Sequence, residues 1–340
     1  MCNVAGYVGH APAAPILLAM MEKQEGFGGG YYSGIATVAD GRLYHAKVIG
    51  DIATLRRDTD AERLPGTTGI IHSRSKSGGD VEWAHPFVDC TERMAYIANG
   101  HAGFYATMRD QDSVAGRLAK AGHTFRSKTR DPIGEYPLLP DGSCVHTSEV
   151  VCHLIESLVD ESGPVQAMRK AFMTFPAEIV GLMVHAEIPE CVVVSRFNQP
   201  LMIGRDADAT YLSTTAMAFP EEGIDWLMPA PTNTTAAVHR DRIELSPFTP
   251  PPGKVADVFP WEMGRQAALE VLSDGTGKGL GAFKNAVAPL WPADTAPQKD
   301  MMAYEILRAL HREGRIRFEN VAVPGVIEGT TVPQRRAFPL

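Results

Sequence analysis

Hydrophobic residues in the first hundred positions recur with the periods of strands and helices. CNVAGYVG is short, apolar and ends at Gly9, which predicts a strand, and PILLAMMEKQEG has apolar residues at helical spacing up to Gly26. Two apolar runs flank Asp40-Gly41, a dipeptide typical of a tight hairpin turn. TGIIHSRS and RMAYIANG predict two more strands, each ending in polar residues or glycine. Strand ends of this kind commonly hold functional side chains on a rigid scaffold.

Helical and then strand-like patterns follow. DSVAGRLAKAG, SEVVCHLIESLVDE and PVQAMRKAFMTF predict helices, with Ser148 as the N-cap of the second and Pro164 in the first turn of the third. The spacing of the next four runs, EIVGLMVHA, ECVVVSRF, PLMIGRD and ATYLSTT, predicts an antiparallel meander. Strands, helices and again strands favour a layered α+β sandwich over a parallel doubly wound sheet.

The composition changes near residue 247, where PFTPPPGK predicts a semi-rigid linker. Three helical patterns follow, and the final stretch is compatible with a hairpin about Glu328-Gly329. We therefore predict a large domain over residues 2–247 and a small helical, winged-helix-like module over residues 255–340.

Composition narrows the classes of function. The 340 residues are 44% hydrophobic and 21% charged, as in ordinary globular proteins, and the net charge of −8 disfavours a nucleic-acid partner. No apolar run approaches the length of a transmembrane helix, and the N-terminus lacks the basic region of a signal peptide, so we expect a cytoplasmic protein without a membrane partner. The five cysteines are scattered and lack CxxC spacing. We therefore expect neither a disulfide framework nor a metal site, and no cofactor.

Cys2 is distinguished by its position. Removal of Met1 before this small residue would leave Cys2 with a free α-amino group, whose ordinary pKa of roughly 7.7–8.0 suits a base at neutral pH. Nucleophile and base then belong to one residue, as in enzymes with an N-terminal threonine nucleophile. A cysteine after methionine also occurs by chance, so the surrounding sequence is needed to judge whether Cys2 is a nucleophile.

Six segments, in order within residues 2–220, share motifs with a known family. They are MCNVAGYVG, YYSGIATVADGRLYHAKVIGDIATL, TGIIHSRS, AHPF, IANGHAGFY and VVVSRFNQPLMIGRDADATYLSTTAMAF. Together they resemble the class II glutamine amidotransferases, such as the glutaminase domains of glucosamine-6-phosphate synthase and amidophosphoribosyltransferase. The resemblance implies an N-terminal-nucleophile hydrolase fold, an αββα sandwich of antiparallel sheets. It also implies hydrolysis of an amide through a cysteine thioester, with release of ammonia.

Residue roles follow from the same resemblance. Cys2 would attack the side-chain amide carbon of the donor, glutamine, and Asn99 with the backbone N–H of Gly100 would form the oxyanion hole. Arg74 would bind the donor's α-carboxylate, with the Ser77 hydroxyl nearby. Judged without the resemblance, Asn99-Gly100 is compatible with a simple turn and Arg74 with a surface ion pair. His72 on its own is better explained as a satisfied strand histidine than as a base.

The acidic residue that binds the donor's α-ammonium in this family has no clear equivalent. An insertion, RDPIGEYPLLPDGSCV, divides the motif that contains this acid. When the motif is matched from its end, the acid falls on Thr147, and when it is matched from its beginning, the acid falls on Asp131. One possibility is that Asp131, Glu135 or Asp141 folds back to replace the acid. The other is that the donor has a neutral or absent amino group.

Other positions also depart from the family pattern. Asn3 replaces a glycine, Ser75 replaces a tryptophan, and the Gly28-Gly29-Gly30 run lacks the Arg and Asp that brace the nucleophile. Three functions remain open. They are a glutamine amidotransferase or glutaminase that supplies a separate synthase subunit, an amidohydrolase acting on another carboxylate-bearing amide, and a non-catalytic binding or regulatory relative.

Overall fold

The structure is a computed structural model of the chain. It describes residues 2–76, 78–101, 108–175, 177–249, 254–255, 260–291, 295–296 and 298–340, and for residues 101, 108, 178, 254–255 and 295–296 the backbone alone.

Strands and helices alternate in blocks along the described residues. The strands are β1 (Asn3–Gly9), β2 (Tyr32–Ala39), β3 (Arg42–Ile49), β4 (Thr68–Arg74), β5 (Phe87–Val88), β6 (Met94–His101), β7 (Glu178–His185), β8 (Val192–Arg196), β9 (Met202–Arg205), β10 (Ala209–Ser213), β11 (Trp226–Pro229), β12 (Thr234–Val238), β13 (Ile243–Pro247), β14 (Lys254–Val255), β15 (Lys278–Gly279), β16 (Thr295–Ala296), β17 (Ile316–Pro324) and β18 (Thr331–Pro339). The helices are α1 (Ala13–Glu22), α2 (Ile52–Asp58), α3 (Met108–Lys120), α4 (Thr147–Thr174), α5 (Trp261–Val271), α6 (Leu280–Val287) and α7 (Lys299–Arg312).

Two antiparallel sheets form the body of the protein. One has the order β11-β9-β10-β1-β4-β2-β3 and the other the order β13-β12-β8-β7-β6-β5. Alternate residues of each strand face opposite sides of its sheet. Val4 and Val8 of β1 therefore lie in the core between the sheets, whereas Ala5 and Tyr7 pack with Leu17 of α1 on the outer face. Helices α3 and α4 cover the outer face of the second sheet. The predicted layered α+β sandwich is confirmed.

Two local predictions need correction. The N-cap of α4 is His146, whose side chain accepts from the N–H of Ser148, so Ser148 lies inside the helix rather than capping it. The predicted meander is wrong, because β7 and β8 lie in one sheet and β9 and β10 in the other. Strand spacing alone does not distinguish a hairpin within one sheet from a crossing between two sheets.

The C-terminal module has a winged-helix-like order of elements. Its helices α5, α6 and α7 are followed by the hairpin of β17 and β18, and β15 pairs with β18. Gly329, in the loop of this hairpin, has φ +80°. Half of the predicted linker PFTPPPGK, residues 250–253, lies outside the described residues. None of the helices in the described part of the chain is both long and apolar enough to span a membrane.

The module packs against the beginning of the large domain. Asn3 Nδ2 donates to Tyr304 Oη across 3.1 Å, and the Tyr304 ring makes an edge contact with Phe27 at 5.6 Å between ring centroids. Arg335 of β18 donates to the backbone oxygen of Lys23. The module therefore contacts the segment that follows α1 and also β1, whose first residue comes directly after Cys2.

Candidate active site

Cys2 lies immediately before β1, at the edge of the space between the two sheets. In the register of β1 with β4, Asn3 faces Ser73, so Cys2 lies beside the end of β4. Its sulfur is 3.7 Å from Ser75 Oγ, and its backbone nitrogen donates to Asn99 Oδ1 across 3.1 Å. The fold thus brings Cys2 and Asn99, which are 97 positions apart, into direct contact.

Asn99 and Gly100 belong to a strand rather than to a turn. They pair with Val180 and Ile179 near the end of β6, so the interpretation of this dipeptide as a simple turn is wrong. Gly100 has φ +128°, a backbone conformation that favours glycine. Asn99 Oδ1 accepts from Cys2, whereas Asn99 Nδ2 is buried without a hydrogen-bond partner among the described residues. A buried donor in this position is suited to bind an oxyanion beside the thiol.

His72 gives the thiol its acidity. Burial by itself would raise the pKa of the Cys2 thiol, but the neighbouring His72 ring, with a smaller contribution from Arg74, lowers it from 9.0 to about 5. His72 Nε2 is 3.0 Å from the backbone oxygen of Ala98, which fixes the ring from the neighbouring sheet. The bond to Ala98 agrees with the sequence interpretation of His72 as a satisfied strand histidine, which did not include its effect on Cys2. The sequence feature that could have indicated this effect is the position of His72 two residues before Arg74, on the strand that pairs with β1.

Arg74 is buried at the end of β4. Its guanidinium donates to the Trp83 backbone oxygen at 2.6 Å and to Tyr136 Oη at 3.2 Å, and it lies over the rings of Tyr32 and Trp83. Since Arg74 is only 2% exposed, the alternative of a surface ion pair is wrong. Burial, followed by the charge of Arg74, lowers the pKa of the neighbouring His146 well below its ordinary value. A fixed cation among neutral aromatic rings suits the binding of a carboxylate.

Glu25 braces the strands behind Cys2. Its carboxylate accepts from Ser73 Oγ at 2.9 Å and from the N–H of Ile52 at 2.9 Å, and Ser73 Oγ also accepts from the N–H of Gly30 at 2.7 Å. Burial raises the pKa of the Glu25 carboxyl to about 8. A Cβ on Gly29 would lie 2.4 Å from Ser73 Oγ, so the glycine run lets the backbone approach β4 closely. Glu25 thus connects segments in a region where the family's Arg and Asp are missing.

The insertion is a loop whose two ends pair with each other. Thr129 and Cys144 exchange backbone hydrogen bonds of 3.0 and 2.7 Å. His146 N donates to Ser127 Oγ at 2.8 Å, so the divided halves of the motif lie side by side. Thr147 is the first residue of α4, and its hydroxyl donates to Gln111 Oε1.

The acidic residues of this loop have no described contact with Arg74, although the sequence suggested that one of them replaces the ammonium-binding acid. Asp131 and Glu135 are exposed. Asp141 accepts from Ser143 and from Lys128, whose hydrogen bonds lower the pKa of the Asp141 carboxyl to about 2. From this loop, the described contact with Arg74 comes from Tyr136. Ser77, predicted to assist carboxylate binding, lies outside the described residues.

Comparison with known proteins adds relatives to this geometry. No protein-family model matches the chain. The chain is 26% identical over 328 residues to the isomerizing glutamine–fructose-6-phosphate aminotransferase of Streptomyces coelicolor, an alignment that covers 95% of this chain and 47% of that protein. It is 31% identical over 210 residues to the enzyme of the same name from Thermosynechococcus vestitus, over 60% of this chain and 30% of that protein. The chain is a relative of the class II glutamine amidotransferases.

A solved structure shows the same fold. The glutamine phosphoribosylpyrophosphate amidotransferase of B. subtilis superposes with a TM-score of 0.60 at 17% identity, over 81% of this chain and 58% of that chain. The predicted N-terminal-nucleophile hydrolase fold, an αββα sandwich, is therefore confirmed for this relative of the class II glutamine amidotransferases. The chain spans about half or less of the length of the two curated relatives.

Proposed function

We propose that the chain hydrolyses the side-chain amide of glutamine through a thioester on Cys2 and releases ammonia. The observation that supports this most directly is the arrangement of Asn99. Its carbonyl oxygen holds the backbone nitrogen of Cys2, while its amide nitrogen is buried without a described partner. A free donor on the residue that contacts Cys2 supports the assignment of Asn99 to the oxyanion hole of amide hydrolysis.

The proposed reaction begins after removal of Met1. A thiol with a pKa of about 5 is mostly thiolate at neutral pH, and the new α-amine of Cys2 holds the proton. The sulfur attacks the amide carbon and forms the carbon–sulfur bond, while Asn99 Nδ2 and the N–H of Gly100 stabilise the oxyanion. Collapse of this intermediate breaks the carbon–nitrogen bond, and the α-ammonium protonates the leaving nitrogen to give ammonia. Water then hydrolyses the thioester and restores the thiol.

Binding of the donor is assigned to Arg74. Its guanidinium is buried, fixed by Trp83 and Tyr136, and positively charged at any physiological pH. The α-carboxylate of glutamine has the planar geometry that such a fork of N–H groups binds.

The ammonia would be used by a separate acceptor protein. The described part of the C-terminal module is a small set of helices and a hairpin, and its helix α7 buries Met302, Tyr304 and Leu307. This packing suits an accessory module better than a synthase active site. The same burial leaves that face of α7 without access to a nucleic acid.

Trapping with a glutamine-mimicking electrophile, 6-diazo-5-oxo-L-norleucine, tests the proposal. We expect one adduct per chain, located on Cys2 by peptide mass mapping, together with ammonia release from glutamine. The Cys2→Ala variant should lose both, whereas Cys144→Ser should retain both. Intact-mass analysis of protein from its native host should show a chain that begins at Cys2. Full retention of Met1 in active protein, or an adduct on another residue, would contradict the mechanism.

A second candidate is hydrolysis of an amide that has a carboxylate but no α-ammonium. The observation in its favour is the exposed or paired position of Asp131, Glu135 and Asp141. Both candidates use the same nucleophile, and comparison of donors separates them.

A further inference from the structure

A second cluster of reactive side chains lies on the outer side of the second sheet. Cys90 follows β5, His123 follows α3, and His153 and Glu156 lie one turn apart on α4. One ligand atom from each of these four residues lies within 4.8 Å of all the others. The cluster thus draws on three separate segments of the chain.

The distances resemble the edges of a tetrahedral metal site. Cys90 Sγ is 3.7 Å from His153 Nδ1 and 4.0 Å from His123 Nδ1. The two Nδ1 atoms are 2.8 and 2.9 Å from Glu156 Oε2. With ordinary zinc bond lengths, a regular tetrahedron has sulfur–nitrogen edges of about 3.6 Å and nitrogen–oxygen edges of about 3.3 Å. The four measured edges thus lie within about half an ångström of those of a regular tetrahedron, and the other two are no longer than 4.8 Å.

Surrounding groups have the positions expected around a metal site. His153 Nε2, on the far side of the ring from the cluster, is 3.9 Å from Glu149 Oε1. Glu149 is in turn fixed by the N–H of Ser127. At this separation the two groups are not hydrogen-bonded, and an approach of about 1 Å would let Glu149 orient the ring as a carboxylate behind a ligating histidine does. The N–H of Thr124 donates to Cys90 Sγ across 3.3 Å, which stabilises a thiolate.

We propose that Cys90, His123, His153 and Glu156 bind a zinc ion. Sulfur and imidazole ligands favour zinc over magnesium or calcium, which prefer oxygen. Four protein ligands complete a tetrahedral sphere, which is typical of structural rather than catalytic zinc. The ion would fasten the start of α4 to the segments after β5 and α3. Cys90 is exposed, which gives the ion a path of entry.

The spacing of these residues explains why the sequence predicted no metal site. Cys90 is 33 positions from His123 and 63 from His153, so no compact motif is present. The alternative is a hydrogen-bonded network in which Glu156 simply accepts from the two histidines. That network needs no ion, and metal analysis distinguishes it from the proposed site.

The test uses the full chain, purified without chelator and equilibrated with Zn²⁺ or Co²⁺. We expect about one zinc per chain by elemental analysis and, with Co²⁺, the intense visible absorption and thiolate-to-metal band of a tetrahedral site. Competition with a chromophoric chelator should show at least about 100-fold weaker zinc binding in Cys90→Ser and in Glu156→Gln. Zinc should also raise the Tm of the wild type but not that of Cys90→Ser.

Controls distinguish this site from the other thiols. Cys2→Ala and Cys144→Ser should bind zinc as the wild type does, since neither residue belongs to the cluster. Cys90 is at the surface, so Cys90→Ser should fold, and circular dichroism checks this. A stoichiometry far below one, or equal zinc affinity in the wild type, Cys90→Ser and Glu156→Gln, would overturn the proposal and favour the metal-free network. Zinc lost with Cys2→Ala instead would place the ion at the nucleophile and overturn it as well.

Discussion

Asn3 Nδ2 donates to Tyr304 Oη across 3.1 Å, although 301 positions separate the two residues. Asn3 follows Cys2 directly and is fully buried, as is Tyr304 on α7. The substitution of the family's glycine by Asn3 therefore has a structural partner in the C-terminal module. Through this bond the module holds the first residue of β1, and with it the backbone next to Cys2.

Tyr304→Phe should therefore slow the reaction of Cys2. Loss of the hydroxyl leaves the buried Asn3 amide without this partner, which should lower the free energy of unfolding by about 1–3 kcal/mol. We also expect the rate of labelling by 6-diazo-5-oxo-L-norleucine to fall, because Cys2 is less well positioned. Tyr211→Phe is the matched control, since it removes the hydroxyl that donates to Asp206 Oδ2 at 2.8 Å. Tyr211→Phe should lower stability without slowing the labelling. An equal labelling rate in Tyr304→Phe and the wild type would contradict the role of the bond between Asn3 and Tyr304.

The reactivity of Cys2 should depend on pH through His72. Because the pKa of the Cys2 thiol is about 5, its alkylation by iodoacetamide should rise through pH 5 and level off above pH 6. In His72→Gln the burial remains and the neighbouring imidazole is lost, so the midpoint should move upward by about 1–3 pH units. His45→Gln, at an exposed position, should leave the midpoint unchanged. Peptide mass mapping separates Cys2 from the other thiols, and identical midpoints in wild type and His72→Gln would refute the assignment.

Local patterns predicted most of the elements correctly. The hairpin at Asp40-Gly41 is present, and both residues have positive φ, 50° and 69°, as such a turn requires. The two helices predicted on either side of residue 163 correspond to α4, which is interrupted at Gly163 with φ +73°. These features depend on neighbouring residues, and the sequence therefore determines them directly.

Relationships between distant segments were not predictable in the same way. The effect of His72 on Cys2, the hydrogen bond of Arg74 to Tyr136 and the bond of Asn3 to Tyr304 depend on how sheets and modules pack. A single sequence has no periodicity that reports such contacts. The resemblance supplied Cys2, Asn99 and Arg74, because those residues stand in recognisable motifs.

Arg74→Lys should weaken donor binding more than catalysis. Lysine keeps the positive charge near the thiol but loses the planar fork and its stacking on Tyr32 and Trp83. Loss of about 1.5–3 kcal/mol of charge-assisted hydrogen bonding corresponds to a roughly 10- to 100-fold higher KM for glutamine, with a smaller change in kcat. Arg205→Lys, whose guanidinium donates to the backbone oxygen of Asp241, should leave KM unchanged. A selective fall in kcat in Arg74→Lys would instead place Arg74 at the reacting amide.

The acids of the insertion should not contribute to donor binding. Asp131 and Glu135 are exposed, and Asp141 is held by Ser143 and Lys128, so Asp131→Asn, Glu135→Gln and Asp141→Asn should each leave kcat/KM for glutamine within about twofold. Since no acid of this loop has a described contact with Arg74, the protein should prefer glutamine over its des-amino analogue by less than about tenfold. Ammonia release from both compounds measures this ratio.

Thr147→Asp provides the matched gain of function. Thr147 is the first residue of α4, where an acidic side chain is favoured by the helix dipole, and it is one of the two positions predicted for the family's ammonium-binding acid. A new charge-assisted hydrogen bond to the α-ammonium should raise the preference for glutamine over the des-amino compound by about 10- to 100-fold. Circular dichroism controls for folding, and Thr147→Asn controls for side-chain shape without charge. If the wild type already prefers glutamine by more than about 100-fold and Asp131→Asn abolishes that preference, the acid does fold back from the insertion and Thr147 is not its position.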